Sequence, residues 1–168
     1  MKRVMGIVLC GMIWFSCQEN ENTSEFTGNE TTYSLQSGSQ YDVSGTVTIK
    51  ERRDGTSTVL VSLQGTSGNS KLPVHLHLGD IATPAADVAA LLSPVDAKTG
   101  ISETTFSQLA DESTIQYTDL IKLEACIKVH LSDVGPERDI ILAGGNIGQS
   151  VAKAAASGRI GVGVCKSE

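Results

Sequence analysis

A chain of 168 residues, 40% of them hydrophobic, is long enough for one folded domain with a single core and too short for several. The net charge is −6 and the 13 lysines and arginines form no cluster, which argues against nucleic acid and against electrostatic docking on anionic lipid. Aromatic residues make up only 4%, so the core must be built from aliphatic side chains.

The first 16 residues have the organisation of a secretory signal peptide. Lys2 and Arg3 precede an apolar stretch over residues 4–15, which is too short to span a bilayer as a helix. The Ser16–Cys17 junction, where polarity changes abruptly, resembles the lipobox of bacterial lipoproteins. This resemblance implies cleavage at Cys17, acylation of that residue and durable anchoring in a lipid bilayer. The alternative is an ordinary secretory signal in which Cys17 is incidental.

A polar segment follows the lipidation site. Residues 17–40 are rich in Ser, Thr, Asn, Glu and Gly, a composition typical of a flexible tether that buries too little surface to fold. One folded domain is then expected over residues 41–168. We therefore expect the chain to reside in the cell envelope, at the outer membrane or cell surface rather than at the inner membrane.

From Tyr41 onward, apolar and polar residues alternate with the period of two that is typical of β-strands. Asp54-Gly55 between two alternating segments indicates a hairpin turn, and the segment 144–146 is predicted to be a second turn. Residues 88–92 suit either a buried strand or a short helix, and helical turns are predicted at 119–124 and 151–156. Strands are predicted at 43–50, 59–63, 74–78, 100–106, 126–131, 139–143 and 160–165. Many short strands with glycine-rich turns favour an all-β fold, an antiparallel β-sandwich.

All three histidines of the chain lie in predicted strands. His75 and His77 are two residues apart and share one face of their strand, opposite the apolar Val74 and Leu76. By the same alternation, His130 lies on the non-core face of the later strand. If the two strands are neighbours, the three imidazoles converge into a site for zinc or copper, with a fourth position open to water. Such a site requires the ring nitrogens to lie within about 4 Å of one another.

The alternative is three unrelated surface histidines. Asp80 and Asp133 follow the two histidine strands and are candidates for orienting an imidazole, although each is equally suited to a turn. Cys126 and Cys165 remain once Cys17 is set aside, and two thiols in an exported protein favour a disulfide between them. Two unpaired cysteines are the other possibility.

Several motifs taken in order resemble the chordin-repeat (CHRD) family. They are Pro73-Val74-His75-Leu76-His77-Leu78-Gly79, Ile127-Lys128-Val129-His130-Leu131-Ser132 and the glycine-rich 140–148. The resemblance covers residues 41–150. Such domains occur in bacterial lipoproteins, and the resemblance implies a membrane-anchored binding or structural module.

The same positions are also similar to Cu/Zn superoxide dismutase, in which a His-x-His strand ends in Gly-Asp, as His75, His77 and Asp80 do here, and a later Val-His strand supplies a further copper ligand, as His130 would. This resemblance implies a Greek-key β-sandwich. It does not carry over the activity, because no histidine lies between His77 and His130 to bridge to a zinc site.

Two functions are therefore expected as rivals. The favoured one is a non-catalytic binding or structural module of the cell envelope, held in the bilayer by acylated Cys17 and contacting an envelope protein or a glycan. The rival is a metalloprotein that uses His75, His77 and His130 to hold copper or zinc, with possible dismutase-like or zinc-hydroxide chemistry.

Overall fold

The computed structural model describes residues 24–83 and 86–158, and these form eight strands, two helices and one short 3₁₀ turn at Pro136–Asp139. No helix within these two ranges is long and apolar enough to cross a membrane. The strands are β1 Phe26–Ser37, β2 Ser44–Arg52, β3 Ser57–Gln64, β4 Lys71–Leu78, β5 Val88–Asp96, β6 Ile101–Phe106, β7 Glu124–His130 and β8 Ile141–Gly148. The helices are α1 Tyr117–Leu120 and α2 Gln149–Ala156.

The strands form a closed antiparallel barrel in the order β1-β2-β3-β6-β5-β4-β7-β8, with β8 also paired to β1. The all-β, antiparallel prediction is confirmed, but the predicted sandwich is wrong. Strands β4, β5 and β6 are consecutive neighbours and β7 returns beside β4, which is a Greek-key connection. Period-two alternation decides which residues face inward, and it does so equally for a sandwich and a barrel.

At two places in the barrel, which we call seams, neighbouring strands share only one or two backbone residue pairs. Strands β1 and β8 meet at Gln36↔Gly144 and Ser37↔Ala143, and β5 meets β6 at Asp96↔Ile101. The other neighbouring strands pair over longer stretches, as β2 and β3 do from Ser44 to Glu51. Closure therefore depends on contacts that the hydrophobic pattern does not encode.

The inward face of the strands forms the core. Val47 and Val61 are fully buried, as are Val74 and Val129, which oppose each other on β4 and β7. Burying each such side chain contributes about 1.5–3 kcal/mol. The predicted hairpin is also confirmed: Gly55 has a φ of +84° in the turn between β2 and β3, a conformation that glycine adopts without steric cost.

Much of the segment predicted to be a tether is instead strand β1. Leu35 is 1% exposed and belongs to the core, Tyr33 packs against that core, and the Thr31 hydroxyl lies 2.8 Å from that of Tyr117. The polar composition of this segment does not indicate a strand, because the outward residues of β1 are Asn, Glu, Thr and Ser. The folded unit therefore begins well before residue 41.

The predicted turn at 144–146 is wrong as well, since β8 runs through it. A Cβ on Gly145 would lie 2.2 Å from the Ser34 carbonyl oxygen, so this glycine serves the close approach of β1 rather than a turn. The ambiguous segment 88–92 is part of strand β5. Pro94 is exposed beside the narrow β5–β6 seam, where a missing N–H costs little.

Several predictions fall outside the described residues. They are the signal peptide over residues 1–16, the lipidation of Cys17 and the last strand at 160–165, which includes Cys165. The predicted helical turns near 119–124 and 151–156 correspond to α1 and α2.

Candidate metal centre

Strands β4 and β7 are neighbours, and this brings the three histidines together on the outer face of the barrel. Val74 pairs with Val129 and Leu76 with Ile127, and all four side chains point into the core. The residues that alternate with these four along each strand, which include the three histidines, therefore point outward.

The three imidazoles form one compact cluster. One ring nitrogen from each histidine can be chosen so that all three atoms lie within 4.8 Å of one another. The ring centroids are 4.8 Å apart for His75 and His130, 5.8 Å for His75 and His77, and 6.2 Å for His77 and His130. Ligands on one tetrahedral zinc lie about 3.3 Å apart. The three rings come together as predicted, but their nitrogens lie up to 4.8 Å apart and not within the expected 4 Å. Metal binding therefore requires the triangle to tighten by up to about 1.5 Å.

Backbone carbonyls orient two of the rings. The Nδ1 atom of His77 lies 2.7 Å from the carbonyl oxygen of Ala86, and the Nδ1 atom of His130 lies 2.8 Å from that of Arg138. A carbonyl oxygen accepts only, so each Nδ1 must carry the proton and donate. In the neutral ring, the lone pair then lies on Nε2. This tautomer can bind a metal ion through Nε2.

Those two Nε2 atoms are buried and have no hydrogen-bond partner among the described residues. His77 is 7% exposed and His130 is 9% exposed, so water does not satisfy them freely. A buried polar atom without a partner costs about 1–3 kcal/mol. Two such lone pairs in one cluster fit a ligand that accepts electron pairs, which a metal ion does.

Burial lowers the pKa of all three histidines below the ordinary value, because the charged ring loses its hydration. The charge of Lys128 lowers the pKa of His77 and His130 further, whereas the Asp139 carboxylate partly opposes this at His130. The rings are therefore neutral at pH 7, as metal ligands must be.

Lys128 and Cys126 belong to the same outer face. Lys128 is 2% exposed and lies in register with His75, while Cys126 is 0% exposed and lies in register with His77. The predicted disulfide partner Cys165 is outside the described residues, so that pairing stays a prediction.

The residues that orient the imidazoles differ from those predicted. Asp80 accepts a hydrogen bond from the Ala82 N–H at 2.8 Å and shapes a turn, and Asp133 is exposed beyond β7. Among the described residues, neither carboxylate bonds to a histidine. The orienting groups are the carbonyls of Ala86 and Arg138, which carry no sequence signal because every residue has one.

No family model matches the chain, and neither the curated proteins nor the solved structures contain a match to it. Three neutral imidazoles suit zinc or copper, and the half-buried His75 leaves one side of the cluster nearer to solvent.

Proposed function

We propose that this chain is a metal-binding module of the cell envelope, in which His75, His77 and His130 hold a zinc or copper ion. The observation that carries the proposal is the pair of buried Nε2 lone pairs on His77 and His130, each left without a hydrogen-bond partner in the described part of the chain. Their Nδ1–H groups are already bonded to carbonyls, so both rings are set in the metal-binding tautomer.

The donor set decides the class of metal. Imidazole nitrogens suit zinc and copper, whereas calcium and magnesium take oxygen ligands. Three protein ligands leave a fourth position for water or a small ligand, as in catalytic rather than structural zinc sites. His75 is the ligand nearest to solvent, so this fourth position is expected on its side of the cluster.

The envelope location rests on the signal-like residues 1–16 and on Cys17, which is proposed to carry the acyl chains. Kinship with chordin-repeat domains rests on the motif residues alone and stays part of the proposal. In this proposal, the binding role expected from that resemblance is directed at a metal ion, rather than at an envelope protein or a glycan.

The test is the metal content of the protein, purified without a polyhistidine tag, exposed to zinc and separately to copper, and then desalted. About one ion per chain is expected. His77→Ala and His75→Ala should each reduce the content towards background. His75 is the less buried ligand, so its variant separates a lost ligand from a disturbed fold.

Leu91→Ala is the matched control. Leu91 lies directly opposite His75 on β5 and is 73% exposed, so its truncation changes the neighbouring surface without removing a ligand. This variant should keep one ion per chain. A wild-type protein that retains neither zinc nor copper would overturn the proposal, as would histidine variants that retain as much metal as wild type.

A further inference from the structure

Two rows of outward residues cross strands β4, β7 and β8 side by side. His77, Cys126 and Asn146 form one row, and His75, Lys128 and Gly144 form the other. Neighbouring strands are about 5 Å apart, so Asn146 lies roughly 10 Å from His77 with one strand between them. Asn146 is therefore in the same part of the surface as the metal centre without touching a histidine.

The loop that follows β4 crosses over β7 and is fastened at Asn146. The Asn146 Oδ1 atom accepts the Ile81 N–H at 2.7 Å, and its Nδ2 donates to the Asp80 carboxylate at 2.8 Å. The other oxygen of Asp80 accepts the Ala82 N–H, and the Ser150 hydroxyl donates to the Gly79 carbonyl at 3.2 Å. Four residues in a row are thus fixed by side chains from β8 and α2 or by their own turn.

The fastened loop covers the outer face. Ile81 is 4% exposed, and its Cδ1 atom lies 3.0 Å from the place that a Cβ on Gly144 would occupy. The missing side chain of Gly144 therefore makes the room that Ile81 fills. On the same outer face, Cys126 is completely buried and Lys128 is 2% exposed.

The far end of the same loop holds His77. The loop returns to β5 through Ala86, whose carbonyl accepts the His77 Nδ1–H. At its base, the Leu78 N–H donates to the Asp87 carbonyl at 3.0 Å. One loop thus carries both the cover that is bonded to Asn146 and the carbonyl that sets the His77 tautomer.

We propose that Asn146 and Asp80 form a latch that positions His77 for metal binding by holding residues 79–82 of this loop against the sheet. The part of the inference that concerns metal affinity rests on the function proposed above. Asn146 acts through the loop and is a positioning residue rather than a ligand. His130 depends on a different segment, because its carbonyl partner is Arg138.

The latch is tested with a charge-conserving swap. Asn146→Asp places two carboxylates in contact and removes the donor, so the loop should loosen. In the double variant Asp80→Asn with Asn146→Asp, the amide at position 80 donates to the carboxylate at position 146, so the bond between the two positions is restored. The 3.3 Å bond from the Asn146 Nδ2 to the Ser150 carbonyl is lost in both variants, so recovery in the swap is due to the pair at positions 80 and 146 alone. The Ile81 N–H keeps an acceptor in both variants, since a carboxylate oxygen replaces the amide oxygen.

The first readout needs no metal and uses nitrogen NMR of the histidine rings in the full chain. In wild type, His77 and His130 should both show an exchange-protected Nδ1–H. In Asn146→Asp, the His77 signal should be lost or broadened while that of His130 persists, and the swap should recover it. The second readout is zinc affinity, which should fall by about tenfold in the single variant and return in the swap.

The outcomes separate the two proposals. A wild-type protein that takes up no zinc defeats the metal proposal, while the NMR comparison still decides the latch. An unchanged His77 signal in Asn146→Asp overturns the latch. Equal loss of the His77 and His130 signals also overturns it, because a general loss of structure is then the cause. Failure of the swap to recover the His77 signal has the same meaning.

Discussion

The rings of His75 and His130 lie 4.8 Å apart, centroid to centroid, and they come from different strands. The register explains this approach: Val74 pairs with Val129, which places His130 diagonally across from His75 on the outer face. Rings this close cannot both be charged without mutual repulsion, and burial together with the charge of a protonated His130 lowers the pKa of His75. The strand pairing thus favours neutral imidazoles before any metal arrives.

The pH dependence of stability follows from the lowered pKa values of the three histidines. At about pH 7.5 and above, the rings are almost entirely neutral in both the folded and the unfolded chain, because histidines in the unfolded chain titrate near pH 6.5. Below that, the unfolded chain takes up protons first, so the free energy of unfolding of the metal-free protein should fall as the pH drops from about 6.5 to 5. Urea unfolding at pH 7.5, 6.5 and 5.5 measures this.

His77→Gln is the control for the pH prediction and should flatten part of the slope. The carboxylates with lowered pKa titrate at more acidic pH and do not contribute in this window; they are Glu51, Asp54, Asp96 and Asp111. A free energy of unfolding that stays constant between pH 6.5 and 5 would contradict the prediction.

Metal binding should stabilise the fold, because the ion binds the folded cluster and not the dispersed histidines. At a free zinc concentration one hundred times the dissociation constant, the free energy of unfolding should rise by about 2.7 kcal/mol. Thermal unfolding with and without zinc measures the change, and a chelator should reverse it. His130→Ala should show no zinc-dependent shift, while Leu91→Ala should shift as wild type does.

Gly145→Ala should weaken the seam between β1 and β8. The added Cβ would lie 2.2 Å from the Ser34 carbonyl oxygen, so one of the two strands must move. We expect a loss of about 3 kcal/mol in the free energy of unfolding, measured with urea. Gly144→Ala should cost less, since its nearest backbone atom would be 3.1 Å away and its closest contact is the flexible end of Ile81. Equal losses would contradict this account.

Strand β1 should be indispensable. A chain that begins at Gly38 lacks Leu35 from the core and leaves the facing edges of β2 and β8 unpaired, so it should lose cooperative unfolding and expose apolar surface. A chain that begins at Ser24 keeps the strand and should unfold as the longer protein does. Circular dichroism during urea unfolding distinguishes them. A cooperative transition in the shorter chain would contradict this prediction and would favour a tether over residues 17–40.

The local parts of the fold were predictable where one face of a strand is buried. Alternation identified β2, β3, β4 and β7, and it placed His75, His77 and His130 on the outward face, because a period of two allows only two faces. The sequence pattern does not predict that β4 and β7 are neighbours. That pairing is a long-range contact, which no local pattern encodes.

What sequence reasoning missed has physical reasons. Strand β1 looks polar because its outward face is exposed, and its buried members are few. Gly144 and Gly145 resemble a turn, although they serve close packing beneath Ile81 and beside Ser34. The groups that orient His77 and His130 are main-chain carbonyls and have no residue type to detect.

Those two carbonyls make the orientation of the ligands independent of side-chain identity at positions 86 and 138. Any amino acid at either position offers the same oxygen, provided that the loop has the right length and path. The amino-acid sequence of these loops can therefore change almost freely in evolution, whereas their length cannot. In divergent descendants of this chain, the number of residues between the histidine strands and their returning loops should be retained even where the residues themselves change. This spacing would be a better guide to the metal centre than residue identity.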